Sequence, residues 1–197
     1  MTTLIAYEGP DWVVIASDRK SSDDDGFTTY MESSKVFKNG PIVIAGAGQV
    51  RGINIMQHDF TPPAIGGTKD TDKYVTSRLI PAMRKTFQDA NYEYVKPESS
   101  IENDNIWIIV VSRKIYRINE DYGWERSNEN LYAAGSGEQF ALGAADALID
   151  GKQIESVAAA KKILVKAVKI AAKYDSHSGG KIDLTVIEWN ALLKIVT

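Results

Sequence analysis

The chain is 197 residues long, enough for one domain with a sizeable core and short for two. Its 23 Lys+Arg against 26 Asp+Glu give a net charge of −3 with no basic block, which argues against binding nucleic acid through its phosphates, and no apolar run reaches the ~18 residues of a membrane span. With no Cys and only His58 and His177, a disulfide scaffold, a thiolate metal site and a cysteine nucleophile are excluded and a histidine-built zinc site is disfavoured, so acid–base chemistry must rest mostly on something other than imidazole.

The segment Met1–Glu8 has neither the basic region nor the apolar stretch of a signal peptide. Leu4–Tyr7 reads as a strand, Gly9-Pro10-Asp11 as a turn, and Trp12–Ala16 as a β-branched buried strand ending at Ser17-Asp18-Arg19. Ser21–Gly26 reads as a polar loop whose Asp23-Asp24-Asp25 run lacks the alternating spacing of a calcium loop. Short strands follow at Lys35–Phe37 and Pro41–Ala45, the second running through Gly46-Ala47-Gly48-Gln49 into a helix to about Gln57. The pattern Gly46-x-Gly48-x-x-x-Gly52 is not a dinucleotide fingerprint, because its third glycine falls one position late and no βαβ alternation follows.

A helix capped by Thr68 is predicted to run to about Ala90. Its apolar face is Val75, Leu79, Met83 and Phe87, and Pro81 is expected to kink it or shift its start. Ile106–Val111, Lys114–Ile118, Gly123–Glu125 and Tyr132–Ala134 form a meander ending in Gly135-Ser136-Gly137. Phe140–Leu148 and Glu155–Lys173 read as helices. The second pairs an apolar face (Val157, Leu164, Val168, Ala171) with a solvated stripe of Lys162, Lys166, Lys169 and Lys173. Ile182–Ile187 and Leu192–Val196 close the chain as strands. Runs of strands separated by helix pairs, with no linker or repeat, predict one domain of antiparallel sheet covered on both faces.

Thr2 carries a possible chemistry of its own. Once Met1 is removed it has a hydroxyl and a free α-amine on adjacent carbons, and an α-amine titrates at roughly 7.7–8.0. Nucleophile and general base then sit in one residue without any histidine. If Met1 persists, the amine is an amide and the base does not exist.

In order along the chain, five segments resemble the proteasome β-type and HslV-type peptidases, which are N-terminal nucleophile hydrolases. They are Thr2-Thr3 on a strand leading through a hairpin to a strand that ends in Ser17-Asp18-Arg19; Lys35-Val36-Phe37; Ile42–Gly46; Gly135-Ser136-Gly137 before an Ala-rich helix; and Asp175-Ser176-His177-Ser178-Gly179-Gly180. The resemblance spans residue 2 to about 190. It implies an α+β fold, a four-layer αββα sandwich of two antiparallel sheets covered by helix pairs, and a threonine endopeptidase. By resemblance, Thr2 is the nucleophile and Lys35 the cation beside its hydroxyl. Asp18 keeps Lys35 charged, and the Gly46 N–H stabilises the oxyanion. Ser136, Asp175 and Ser178 hold the α-amine and the attacking water, with Arg19 and Gly179 behind them. Ser33, Phe37, Ile44, Gly48 and Gly52 match the first specificity pocket, where Ile44 would favour apolar side chains. His177 is a variable position inside its motif.

The resemblance further implies a cytoplasmic homo-oligomer of twelve or fourteen chains in stacked rings, with the sites inside. Peptides or unfolded proteins would enter, with an ATPase unfoldase as the expected partner and no cofactor, metal, nucleic acid or membrane. Two features pull apart: Met1 directly precedes Thr2 as in the HslV type, yet HslV-type chains lack the Ser-Gly-Gly ending. The rival reading is an inactive subunit that only builds a ring or shell. Its expected mark is loss of the site's Thr, Lys or Asp, and all three are present.

Overall fold

The computed structural model describes residues 2–23, 25–66, 70–95 and 101–189. Strands β1 (Leu4–Glu8) and β2 (Trp12–Asp18) form a hairpin. A smaller hairpin follows, β3 (Lys20–Ser22) with β4 (Thr28–Tyr30), and then β5 (Val36–Asn39), β6 (Ile42–Gly48) and helix α1 (Val50–His58). Helix α2 (Thr71–Tyr74) passes through a π-helical turn, Val75–Leu79, into α3 (Ile80–Asp89). The two-residue strands β7 (Tyr94–Val95) and β8 (Ile101–Glu102) pair with each other. They precede β9 (Asn105–Val111), β10 (Lys114–Ile118), β11 (Trp124–Glu125) and β12 (Leu131–Ala134). Helices α4 (Glu138–Ile149) and α5 (Val157–Tyr174) lead to β13 (Ile182–Glu188).

Two main sheets result, in strand orders β12-β1-β2-β13 and β11-β10-β9-β6-β5, with every recorded pairing antiparallel. Alternate residues of a strand face opposite sides. Leu4, Ala6, Val13 and Ile15 of the first sheet meet Val43, Ala45, Ile108 and Val110 of the second in one core. The residues between them, Ile5, Tyr7, Val14 and Ala16, pack on Ala141, Ala145, Leu164 and Val168 of α4 and α5. On the far side, Ile42, Ile44, Trp107 and Ile109 pack on Ile53, Met56, Leu79 and Met83 of the other helices. Strands buried on both faces lose the hydrophobic-polar alternation, which is why Trp12–Ala16 and Ile106–Val111 read as continuous apolar runs. Each fully buried Leu or Ile contributes ~1.5–3 kcal/mol.

The expected helical face of Val75, Leu79, Met83 and Phe87 is wholly buried. The helix breaks as expected near Pro81, which occupies the first turn of α3 immediately after the π turn. Proline has no N–H to give to the preceding turn, so the ladder widens there. Thr68, the expected cap, lies outside the described residues; Asp70 caps instead, its carboxylate accepting the Lys73 N–H at 2.9 Å. Ser156 caps α5 through Ala159, 3.2 Å away. Ser21 and Ser22, expected as the start of a polar loop, belong instead to β3, and beyond them Asp23 accepts the Phe27 N–H at 2.8 Å. The expected strand at Leu192–Val196 lies outside the described residues, as does Met1. The lysine stripe of α5 is exposed along its length. Among the described residues no helix is long and apolar enough to cross a membrane.

Candidate active site

The chain start is fixed before β1 begins. The Thr3 carbonyl accepts the Asp18 N–H at 3.2 Å and the Thr2 carbonyl accepts the Gly137 N–H at 3.3 Å. Thr2 is 1% exposed and Thr3 is fully buried. Four other segments converge there: the end of β2, the residues before β5, and the two turns that flank the α4–α5 pair.

The turn Gly135-Ser136-Gly137 owes its composition to this contact. Gly135 adopts φ +97, and a Cβ on it would stand 2.1 Å from the Thr2 carbonyl oxygen. A Cβ on Gly137 would stand 1.9 Å from the Thr3 hydroxyl. Ser136 does not cap α4, whose N-cap is Gly137. Its hydroxyl instead accepts the Thr2 nitrogen at 3.3 Å and donates to Asp175 Oδ2 at 2.7 Å. Ser178 donates to the same oxygen at 2.5 Å, and its Oγ stands 2.5 Å from Thr3 Oγ1. A chain of hydroxyls thus runs from the Thr2 nitrogen through Ser136, Asp175 and Ser178 to Thr3. Burial pushes the Asp175 carboxyl up, but hydrogen bonds from Ser178, Ser136 and the His177 N–H outweigh it, and the net shift is downward.

On the other side Lys35 Nζ donates to Asp18 Oδ1 at 2.9 Å and to the Lys20 carbonyl at 2.6 Å, leaving its third hydrogen uncommitted to either. The pair is sealed, with side chains 2% and 0% exposed. Asp18 also accepts the N–H groups of Thr3 (3.0 Å), Gly179 (2.9 Å) and Lys20 (3.2 Å). Asp18 acts on Lys35 in the expected sense, its charge and hydrogen bond both raising the lysine pKa. Burial lowers the lysine pKa more than Asp18 and Asp175 raise it, so Lys35 gives up its proton more readily than a free lysine.

Thr2, Asp18, Lys35, Asp175 and Ser178 are buried and Ser136 is exposed at their edge; Thr3 joins the two halves through Asp18 and Ser178, positions up to 175 residues apart in direct contact. Gly46 is placed differently from expectation. Its N–H already donates to the Lys35 carbonyl at 3.2 Å, as part of the contact between β6 and the start of β5. Arg19 pairs with Asp183 at 2.6 Å and also holds the Glu32 carbonyl, so it braces the β3 side without touching Thr2. His177 Nδ1 meets Ser22 Oγ at 3.0 Å, away from the threonines.

The expected specificity residues scatter. Ile44 is fully buried in the core beneath α1, Phe37 packs half-buried against the same core, and Ser33 is exposed. Gly52 is buried against Asn105, while Gly48 lines a cavity of about 350 Å³ between Ser21–Asp23 and Gly48–Arg51 with Asp104 at its edge. Sequence reasoning also missed Thr3, the one residue that touches both carboxylate clusters. The repeated Thr-Thr was the available signal, since neighbouring strand residues point to opposite sides. Chemically, a threonine at a freed chain end, its nitrogen held by a serine, combines a hydroxyl nucleophile with an amine base and can attack a carbonyl and pass the proton away.

No family model matches the chain. It is similar in fold to solved structures over nearly its whole length. Thiobacillus denitrificans BPH in complex with epoxomicin is 20% identical with a TM-score of 0.73, covering 95% of this chain and 98% of that one. Uncomplexed Thiobacillus denitrificans BPH gives the same identity and score over 96% and 100%. Eukaryotic HslV from Trypanosoma brucei is 24% identical with a TM-score of 0.65, covering 95% and 100%. The expected resemblance to HslV-type proteins holds at the level of fold.

Proposed function

We propose that the protein is a threonine-type endopeptidase whose Thr2, freed by removal of Met1, attacks peptide carbonyls. The observation that carries this is the Thr2 nitrogen hydrogen-bonded to Ser136, itself on Asp175, with the Lys35–Asp18 pair on the opposite flank. Lys35 or the freed α-amine takes the hydroxyl proton as Thr2 Oγ1 bonds the carbonyl carbon, and the proton passes to the peptide amine as the C–N bond breaks and leaves the acyl-enzyme; Ser136, Asp175 and Ser178 orient the amine and the water that cleaves the ester to a free carboxylate and restores the hydroxyl. The oxyanion requires a donor worth ~3–4 kcal/mol, and in this reading the Gly46 N–H supplies it by turning from, or sharing itself with, the Lys35 carbonyl. The three apolar cores support the four-layer αββα N-terminal nucleophile hydrolase arrangement.

An endopeptidase of this kind must be confined. The likeness to HslV supports a homo-oligomeric ring of twelve or fourteen chains in the cytoplasm, taking peptides or unfolded proteins with an ATPase unfoldase as partner. The inactive ring-builder is distinguished by one measurement, the intact mass after incubation with a peptide epoxyketone, which closes a ring on a hydroxyl and a free α-amine of one residue. The expected product lacks Met1 and carries one inhibitor, and Thr2→Ala stays unlabelled. Loss of Met1 without an adduct, while a smaller or differently substituted epoxyketone also fails, sinks the peptidase reading.

A further inference from the structure

The glycine pattern at 46, 48 and 52, which is not a nucleotide fingerprint, has a structural use. A Cβ on Gly46 would meet Trp107 at 2.6 Å. On Gly48, which adopts φ +131, it would meet the Asp104 carbonyl at 2.1 Å and Asn105 Nδ2 at 2.8 Å. On Gly52 it would meet Asn105 Oδ1 at 2.1 Å. Two of the three glycines thus make room for one side chain. Asn105 is fully buried at the start of β9, paired with Gly48 in the ladder. Its amide nitrogen donates to the Gln49 carbonyl at 3.0 Å and the Ala47 carbonyl at 3.4 Å. Its amide oxygen accepts the Tyr92 hydroxyl at 2.5 Å. Burial pushes the Tyr92 hydroxyl's pKa up, keeping it a donor. The backbone N–H of Asn105 is held by Asn103 Oδ1, 3.0 Å away.

We propose that Asn105, oriented by Tyr92, is a positioning residue: it clamps the Gly46–Gln49 segment that forms one wall of the cleft and carries the Gly46 N–H. The proposal rests on the threonine-peptidase reading for its effect on rate, but not for the clamp itself. Both Asn105 amide hydrogens are spent on this segment and its oxygen is spent on Tyr92, so the side chain is satisfied only in one orientation. Removing the tyrosine hydroxyl leaves the buried amide oxygen unpaired and only the two N–H donations, one of them long at 3.4 Å, to hold the segment. The wall then loses its register relative to Thr2, and a misplacement near 1 Å costs about a hundredfold in rate.

The test compares wild type, Tyr92→Phe and Asn105→Asp in the full chain. The readouts are epoxyketone labelling rate, peptide kcat and KM, thermal midpoint, and hydrogen–deuterium exchange resolved by peptide. Asn105→Asp keeps the shape but replaces the donor by an acceptor. Tyr92→Phe leaves Asn105 in place and is the variant expected to fold normally. The expected result is a labelling rate down about tenfold in Tyr92→Phe, where one hydrogen bond is lost, and about a hundredfold in Asn105→Asp. Exchange quickens in residues 46–53 while β1 and β2 stay protected. Exchange and labelling at wild-type levels in Tyr92→Phe overturn the proposal, as does slower labelling that merely tracks a lowered thermal midpoint. If wild type takes no label, the peptidase reading fails and exchange alone decides the clamp: local loosening upholds it, unchanged protection ends it.

Discussion

Two carboxylates flank the first residues of the chain, and they are held in opposite ways. Asp18 faces a cation, with Lys35 on one oxygen and backbone N–H groups filling the rest. Asp175 is held by two hydroxyls and one N–H, with no lysine or arginine bonded to it. The first arrangement fixes a charge pair, because removing either member strands the other in the interior. The second is a carboxylate that only accepts, fed by two hydroxyls that can each accept a further hydrogen bond while donating to it. The contrast teaches that similar burial can serve two purposes: in the proposed peptidase, one side would set how easily the nucleophile ionises and the other would hold the amine that receives or returns the proton.

Breaking the ion pair gives the largest effect. Lys35→Met is expected to lower kcat/KM by about a thousandfold and to destabilise the fold by about 3–5 kcal/mol, since Asp18 keeps its charge without a partner. Peptide kinetics and urea unfolding measure both, and a variant that stays within twofold of wild type in rate erases the distinction drawn here. Asp175→Asn, nearly isosteric, is expected to lower kcat/KM by about a hundredfold by releasing Ser136 from its acceptor, and stability by about 1–3 kcal/mol.

The pH response separates the two sides further. Burial lowers the Lys35 pKa despite Asp18, so folding is disfavoured wherever that lysine must be protonated. This cost fades as pH rises from its lowered folded value towards 10.5. The depressed Asp175 carboxyl acts in the other window: its contribution is present above 3.8 and is lost as pH falls through the folded value. Urea midpoints against pH should therefore lose their alkaline rise in Lys35→Met and part of their acid fall in Asp175→Asn. Matching profiles for all three proteins count against these assignments. Thr3→Val, which removes only the hydroxyl on Ser178, is expected to cost about tenfold in rate. The smallest effect belongs to Lys166→Ala on the exposed face of α5, which should leave rate unchanged and stability within about 0.5 kcal/mol.

Much of the fold was legible because strands such as β2 and β9 are buried on both faces and announce themselves as apolar runs. The β3–β4 and β7–β8 hairpins were not, being short and made largely of residues that read equally well as loop. The gathering of Thr2 with Ser136 and Asp175 follows from no local spacing; only the order of motifs and the resemblance they carry pointed to it. Thr3 and Asn105 escaped because each looks ordinary in sequence, one a strand hydroxyl and the other a polar residue flanking an apolar run. Their roles come from what the tertiary fold lays against them. Gly46 was singled out for its N–H, but a sequence cannot say which carbonyl a strand-end amide will already hold.

The contact between Gly137 and Thr3 carries a consequence for how this chain tolerates change. Gly137 has an ordinary backbone conformation, φ −89 and ψ 6, so nothing in its own torsions forbids a larger residue. The Thr3 hydroxyl, 1.9 Å from where a Cβ would lie, is the main obstacle, with Ser178 Oγ at 3.0 Å and Asp175 Oδ2 at 3.1 Å close enough to need a small shift. The two sites are therefore epistatic. Gly137→Ala alone should displace Thr3, whereas in a Thr3→Ala background it should be accepted with little loss of stability. Under selection for folding alone the pair can drift together through that double change; under selection for an intact hydroxyl relay, neither can move first.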